Sequence, residues 1–206
     1  MKDPNELLEY ERVEQLNGKT LIAGIDEVGR GPLAGPVVCA CCIMPLDDLI
    51  VGVNDSKKLT EKTRERLFEI IKEKAIDYSI AEVDEKTIDE INILNATKKC
   101  MMQAVAGMKI KPEVLLIDAL KLDGLDESIK QVPIIHGDAI SYNIACASIL
   151  AKVYRDRKMQ ELDGIFPQYN FKKNKGYGTA EHIKAIKNFG ATSIHRKSFI
   201  KNFVKE

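Results

Sequence analysis

Val114-Leu115-Leu116-Ile117 is a short apolar run without a polar interruption, and it stops at a carboxylate, Asp118. Such a run suits a central strand covered on both faces, with an acid at its carboxyl end. The rest of the chain supplies the cover. A polar helix over Glu6 to Gln15 is closed by Asn17-Gly18, and a first strand follows from about Leu21 to Glu27. Gly29-Arg30-Gly31-Pro32 turns the chain into a second apolar run, Pro36 to Met44, so these two strands read as a hairpin. After the loop Asp55 to Leu59, a helix beginning at Thr60 runs to about Lys74 with Leu67, Ile70 and Ile71 on one face. Tyr78 to Val83 reads as a third strand. A helical stretch carrying Ile88, Ile91, Leu94, Met101, Val105 and Met108 follows, with a break near Asn92.

Val132 to Ile135 reads as the last strand, ending near Gly137-Asp138. Ser141 to Arg157 carries small residues on a face suited to close packing on a sheet. A basic loop, Phe166 to Gly178, leads to a final helix over Ala180 to Phe189. With no repeat, low-complexity tract or linker, the order predicts one α/β domain over residues 1–206. A short helix at about 5–16 would open it, and a helical region at about 160–206 would close it.

Hydrophobic residues are 45% of 206, enough for one sizeable core. Thirty-one basic side chains balance 31 acidic ones, so a polyanionic partner requires the positive charge to be gathered on one face. Met1 to Gln15 lacks the apolar core of an export signal or membrane span, and a soluble cytoplasmic protein without membrane contact is expected. The five cysteines, Cys39, Cys41, Cys42, Cys100 and Cys146, have no paired spacing and are expected as buried, reduced thiols.

The chemistry is carried by acids at strand ends: Asp26 and Glu27, Asp118, and Asp138. Carboxylates gathered by a sheet repel one another, and hard divalent cations with oxygen ligands relieve that repulsion. Two such ions, Mg2+ or Mn2+, can activate water and stabilise the leaving oxygen of a phosphodiester. Taken singly, each acid reads more readily as an ordinary solvated loop residue.

Gly24-Ile25-Asp26-Glu27-Val28-Gly29-Arg30-Gly31-Pro32-Leu33-Ala34-Gly35-Pro36-Val37 resembles the opening signature of the type 2 ribonucleases H, ribonuclease HII. Further matches follow in order at 54–59, 88–94, Gly137-Asp138 with 145–153, Phe166-Pro167, Lys175-Gly176-Tyr177, and His195-Arg196 with Ser198-Phe199. The resemblance implies an RNase H-like fold, a mixed five-stranded sheet flanked by helices. It makes Asp26, Glu27, Asp118 and Asp138 the metal-binding and catalytic acids, and the helical region at about 160–206 the substrate-binding part. It implies that Gly29, Arg30 and Gly31 recognise the 2′-hydroxyl, and that Tyr177 packs at the step from RNA to DNA. Lys57, Lys58, Lys175 and Arg196 are candidate phosphate contacts; for each, a solvated surface charge is the alternative. Lys152 and Arg155 follow Asp138, where a supporting salt bridge is the plainer reading. His136 and Asn174 depart from the family pattern, and Cys146 replaces a usual alanine.

The implied activity is endonucleolytic cutting of the RNA strand of RNA/DNA hybrids, and cutting 5′ to single ribonucleotides in duplex DNA. It would leave 3′-hydroxyl and 5′-phosphate ends, and serve primer removal and ribonucleotide excision by a monomer. A transposase or junction resolvase of the same fold group would lack a use for the glycine turn. Type HIII is disfavoured by Arg30 and by the absence of room for that family's extra amino-terminal domain. A non-catalytic hybrid-binding module is disfavoured by the presence of all four acids.

Overall fold

The structure, a computed structural model, describes residues 3–203, so the last residues of the expected carboxyl-terminal region lie outside it. After a 3-10 turn at Pro4–Leu7, α1 spans Glu9–Leu16, followed by β1 (Ile22–Val28) and β2 (Val37–Ile43). A 3-10 turn at Ser56–Lys58 precedes α2 (Glu61–Lys74), then β3 (Asp77–Val83), α3 (Glu85–Ala106), β4 (Val114–Asp118) and β5 (Lys130–Ile134). The remainder is α4 (Gly137–Ile140), α5 (Tyr142–Ile165), a 3-10 turn at Pro167–Tyr169, α6 (Phe171–Asn174), α7 (Ala180–Phe189) and α8 (Lys197–Ile200).

The five strands form one mixed sheet in the order β3-β2-β1-β4-β5. β1 runs antiparallel to β2 and parallel to β4, and β5 is parallel to β4. β2 is buried along its whole length, and its alternation splits the core in two. Val38, Ala40 and Cys42 pack toward α2 and α5, while Val37, Cys39, Cys41 and Ile43 pack toward α3. All five cysteines are buried and unpaired, as their spacing led one to expect.

α5 lies directly on β1. A Cβ built at Gly24 would sit 2.2 Å from the Asn143 carbonyl carbon and 2.3 Å from the Ile144 nitrogen, so only glycine lets helix and strand approach this closely. Asn143 adds two hydrogen bonds across the contact, its Nδ2 donating to the Ile22 carbonyl (3.0 Å) and its Oδ1 accepting from Met44 N–H (3.1 Å). From the other side, α1 caps α5. The buried Glu11 carboxylate accepts from Ser141 Oγ (2.7 Å) and Asn143 N–H (3.0 Å).

Three boundaries differ from the sequence expectation. β5 begins and ends earlier than Val132–Ile135, because Gln131 reaches across to Leu122 by two bonds while Ile135 is left exposed. Asp138 accordingly stands in α4, after a left-handed His136, and not at a strand end. α5 continues past Arg157 to Ile165, and the expected loop at 166–178 contains a 3-10 turn and α6. The break near Asn92 is present: Asn92 adopts φ 65°, and its Oδ1 accepts from Leu94 and Asn95 N–H, restarting α3. A separate cluster of Leu33, Met159, Tyr169, Phe171, Ile186 and Ile200 packs the carboxyl-terminal helices onto α5 and the segment after β1. Among the described residues no helix is long and apolar enough to cross a membrane.

Candidate active site

The parallel pairing of β1 and β4 ends at Ile25 beside Ile117, so the next step of the same register carries Asp26 beside Asp118. Alternation puts both on the sheet face that meets α5. Asp26 is buried, and its carboxyl is held well above the usual range by burial first, then by the charges of Glu27 and Asp118, with Asp138 adding to them. Glu27 is raised as well, by burial, against the opposing pull of Arg30. Asp118 accepts from the Gly137 N–H at 2.9 Å, which ties the end of β4 to the start of α4 and brings Asp138 alongside. β1, β4 and α4 therefore bring Asp26, Asp118 and Asp138 into one another's field, and Glu27, the next residue on β1, feels Asp118 as well. Left-handed backbone at Ala119 (φ 53°) and His136 (φ 58°) flanks the two later ones, strain of a kind that accumulates at functional sites.

Among the described residues no three acid, histidine or cysteine side chains converge tightly enough to hold an ion as they stand. The protein's own cations meet the acids: Lys57 Nζ lies 3.0 Å from Asp138 Oδ2, and Arg30 Nη1 lies 3.3 Å from Glu27 Oε1. Both cations are substantially exposed, so these pairs are weakly held. An all-oxygen donor set of four carboxylates, two of them raised by burial first and by neighbouring acids after it, fits hard divalent cations once those side chains turn aside.

The segment between β1 and β2 is held by two buried arginines that, among the described residues, have no carboxylate bonded to them. Arg196 donates Nε to Gly35 O (3.0 Å), Nη1 to Arg30 O (3.0 Å), and Nη2 to Gly29 O (2.6 Å) and Gly35 O (2.7 Å). Arg155 donates Nε to Pro36 O (2.9 Å), Nη1 to Lys175 O (2.9 Å) and Nη2 to Ala34 O (3.1 Å). Burial lowers both cations, Arg155 to about 10 and Arg196, with Arg155 as a second cause, to about 9. Because a trans peptide sets N–H opposite C=O, carbonyls turned toward Arg196 point the Arg30 and Gly31 N–H groups away from it.

Gly29 has φ +97°, and a Cβ there would meet Arg155 Nε at 2.3 Å, so packing and backbone both demand glycine. Gly31 differs. The nearest atom to a Cβ there is Tyr177 Cε1 at 3.6 Å, an ordinary contact, so the fold alone does not require glycine. The ring of Tyr177, 44% exposed, thus stands beside the turn.

Gly29, Arg30, Gly31 and Tyr177 are brought together with the acids. Lys57 reaches the same place through Asp138, while Lys58 is exposed 3.9 Å from Asp55. Lys175 is half-buried in left-handed conformation (φ 51°), its carbonyl taken by Arg155. Arg196 corrects the expectation of a phosphate contact: it is fully buried and all three of its nitrogens are committed to carbonyls. Lys152 does pair with Asp156 (2.6 Å), whereas Arg155 makes no salt bridge among the described residues and bonds carbonyls instead. Asn174 is structural: its Nδ2 donates to Tyr169 O (2.6 Å) and its Oδ1 accepts from Gly176 N–H (2.8 Å).

Sequence reasoning missed the true work of Arg155 and Arg196, the buried pair His182 and His195, and Asp89, which accepts from the Lys197 and Ser198 N–H groups at the start of α8. The available signal was the absence of regular structure over 29–36 and 174–178, where many carbonyls need partners from elsewhere.

The family model described as Ribonuclease HII matches residues 23–202. A ribonuclease HII of Acetivibrio thermocellus is 58% identical over 206 residues, covering 98% of this chain and 80% of that protein. Among solved structures, the ribonuclease H2 from Pyrococcus horikoshii superposes with a TM-score of 0.74 at 27% identity, covering 90% of this chain and 99% of that one. The PCNA:RNase HII complex from Archaeoglobus fulgidus contains a chain matching with TM-score 0.76 at 27% identity, covering 90% of this chain and 97% of that chain.

Proposed function

The chain belongs to the ribonuclease HII family and is an endoribonuclease acting on RNA/DNA hybrids, and from that premise we propose that it also cuts duplex DNA 5′ to a single embedded ribonucleotide. The observation that carries the proposal is the placing of Asp26 and Asp118 beside a turn whose Arg30 and Gly31 amides face away from Arg196, with the Tyr177 ring next to Gly31. Amides held in that direction can donate to a sugar hydroxyl, and the missing Gly31 side chain leaves room for the sugar. The ring offers a flat surface at the junction from ribose to deoxyribose.

Asp26, Glu27, Asp118 and Asp138 would hold two divalent ions, Mg2+ or Mn2+, and bound ions supply an activated water and neutralise charge at the leaving oxygen. Each residue's own part follows from its setting. Asp26 and Asp118, at the ends of two paired strands, would share the ions, and the Gly137 N–H holds the Asp118 carboxylate from one side. Asp138 enters from α4, paired with Lys57 at 3.0 Å, and would serve as a ligand with Lys57 turned aside. Lys57, once released, is positioned to meet a phosphate oxygen, as Lys58 and Lys175 are from neighbouring segments. The carboxyl-terminal helices would carry the hybrid, and a monomer suffices because every group named comes from one chain.

The test is cleavage of a DNA duplex bearing one ribonucleotide, with Mg2+ or Mn2+, by the wild type and Asp118→Asn, beside an all-DNA duplex. One cut 5′ to the ribonucleotide, leaving a 3′-hydroxyl and lost in the variant, is expected. Equal cutting of the all-DNA duplex would refute recognition of the 2′-hydroxyl.

A further inference from the structure

Two imidazoles are buried behind the tyrosine segment, His182 on α7 and His195 just before α8. Their Nε2 atoms lie 3.1 Å apart. The groups at either end of the pair decide where its protons sit. His182 Nδ1 lies 2.9 Å from the Tyr177 carbonyl, which can only accept, so His182 carries a proton on Nδ1. His195 Nδ1 lies 2.9 Å from Thr192 N–H, which can only donate, so that nitrogen is bare. Two neutral rings then leave one proton between them: His195 Nε2–H donates to His182 Nε2. The chain runs unbroken from Thr192 N–H through both rings to the backbone of Tyr177.

An added proton would cost one of these bonds, and burial lowers the proton affinity of both rings, that of His195 to about 4 with His182 as second cause. The rings are also locked sterically. Tyr169 and Phe171 contact His182 and His195 at centroid separations between 5.0 and 6.3 Å. At the far end, the His195 backbone bridges Ala34, and Gly35 N–H donates to Ile194 O (2.9 Å), so His195 is fastened to the same segment that follows the glycine turn. Leu33 N–H donates to Gly176 O (2.8 Å), closing the circuit from turn to tyrosine.

We infer that His182 and His195 form a neutral two-ring strut that sets the height of Tyr177 over the glycine turn, making them positioning residues for the ribose-to-deoxyribose contact. The strut rests on the proposed role of Tyr177. Tyr177 has no strand or helix to hold it; apart from its own N–H, bonded to Asn174 O (2.8 Å), its carbonyl is the handle, shared between Thr179 N–H and His182. Losing the imidazole donor frees that peptide to tilt, and the ring moves with it.

The experiment measures KM, kcat and, in metal-free buffer, the dissociation constant for a duplex with one ribonucleotide. It uses His182→Phe, His182→Gln, Tyr177→Ala and the double variant His182→Phe/Tyr177→Ala, with a thermal melt for each. His182→Phe keeps a ring but removes donor and acceptor, and is expected to raise KM and the dissociation constant by about tenfold, one hydrogen bond's worth, with kcat within about twofold. His182→Gln keeps both an N–H for Tyr177 and an oxygen for His195, and is expected to recover most of that loss. In the Tyr177→Ala background His182→Phe is expected to add less than about twofold, because coupled residues are not additive. A full tenfold effect in that background, or no rescue by His182→Gln with its melt unchanged, would overturn the strut. Tyr177→Ala leaving KM unchanged would instead remove the tyrosine contact, and the strut's purpose with it. If His182→Phe fails to fold, His182→Leu, which also removes donor and acceptor, carries the same cycle with Tyr177→Ala against each single variant.

Discussion

Replacing Arg196 with methionine separates a structural clamp from a phosphate contact. The side chain donates four hydrogen bonds to three carbonyls, those of Gly29, Arg30 and Gly35, in a site with no exposure. Truncation leaves three buried acceptors without donors, each costing about 1–3 kcal/mol. Relief from burying a cation offsets part of this, a burden visible in the fall of Arg196 to about 9. The balance is a loss of about 4 kcal/mol, the usual scale for removing one side of a buried charged network. For a chain of this length that corresponds to a melting point lower by roughly 10 °C. Thermal melts by circular dichroism read this directly, and hybrid binding across a salt series reads the alternative. A phosphate contact would leave the melt unchanged and make the salt dependence shallower by about one counterion. That second pattern would refute the clamp.

The other predictions divide between fold and site. Gly24→Ala forces a Cβ to 2.2 Å from α5 backbone and should destabilise by more than about 3 kcal/mol, whereas Gly31→Ala, whose nearest neighbour is a ring edge at 3.6 Å, should melt like the wild type yet lose most cutting at an embedded ribonucleotide. Comparable melts for the two would contradict the packing argument. Asp26 is held well above 3.8, so its contribution to stability is full below that pH and is lost as pH rises through the folded value. In metal-free buffer Asp26→Asn should therefore melt above the wild type at pH 8, with the gap closing as pH falls; a constant gap would argue against it. Glu11 is likewise raised by burial, with Oε2 lacking a partner, so Glu11→Gln should be at least as stable as the wild type at pH 8. Glu11→Ala, which strands Ser141 Oγ and Asn143 N–H, should lose about 2 kcal/mol, and urea titration of the two variants beside the wild type checks both.

What could be read from the sequence was what depends on neighbours along the chain. α7 occupies Ala180–Phe189 as expected, because its apolar spacing and the Thr179 cap are local. β4 ends at Asp118 for the same reason, and Asn92 marks its own break through its own side chain. β5 was misplaced because a half-exposed edge strand has little apolar contrast, and its limits are set by pairing with β4. Asp26, Glu27, Asp118 and Asp138 were legible as a set, yet Asp138 arrives on a helix whose position depends on the Asp118 to Gly137 bond. Arg196 was misread because an arginine beside a polyanion site looks like a phosphate contact. Its actual partners lie more than 160 positions earlier.

Why arginine, and not lysine, holds the turn follows from how many carbonyls must be met at once. Between β1 and β2 the carbonyls of Gly29, Arg30 and Gly35 have no backbone donor among the described residues, and all three turn to one side chain. A guanidinium offers five donors in a rigid plane and can serve all three; an ammonium offers three rotating donors on a stem that ends short of the outer two carbonyls. Arg196→Lys keeps the charge, so it retains the burial cost while losing the fork. It should melt nearer to Arg196→Met than to the wild type, and lose selectivity for the embedded ribonucleotide along with it. A lysine variant matching the wild type in both would mean that charge alone holds the turn, and that the direction of the Arg30 and Gly31 amides is set by something other than this side chain.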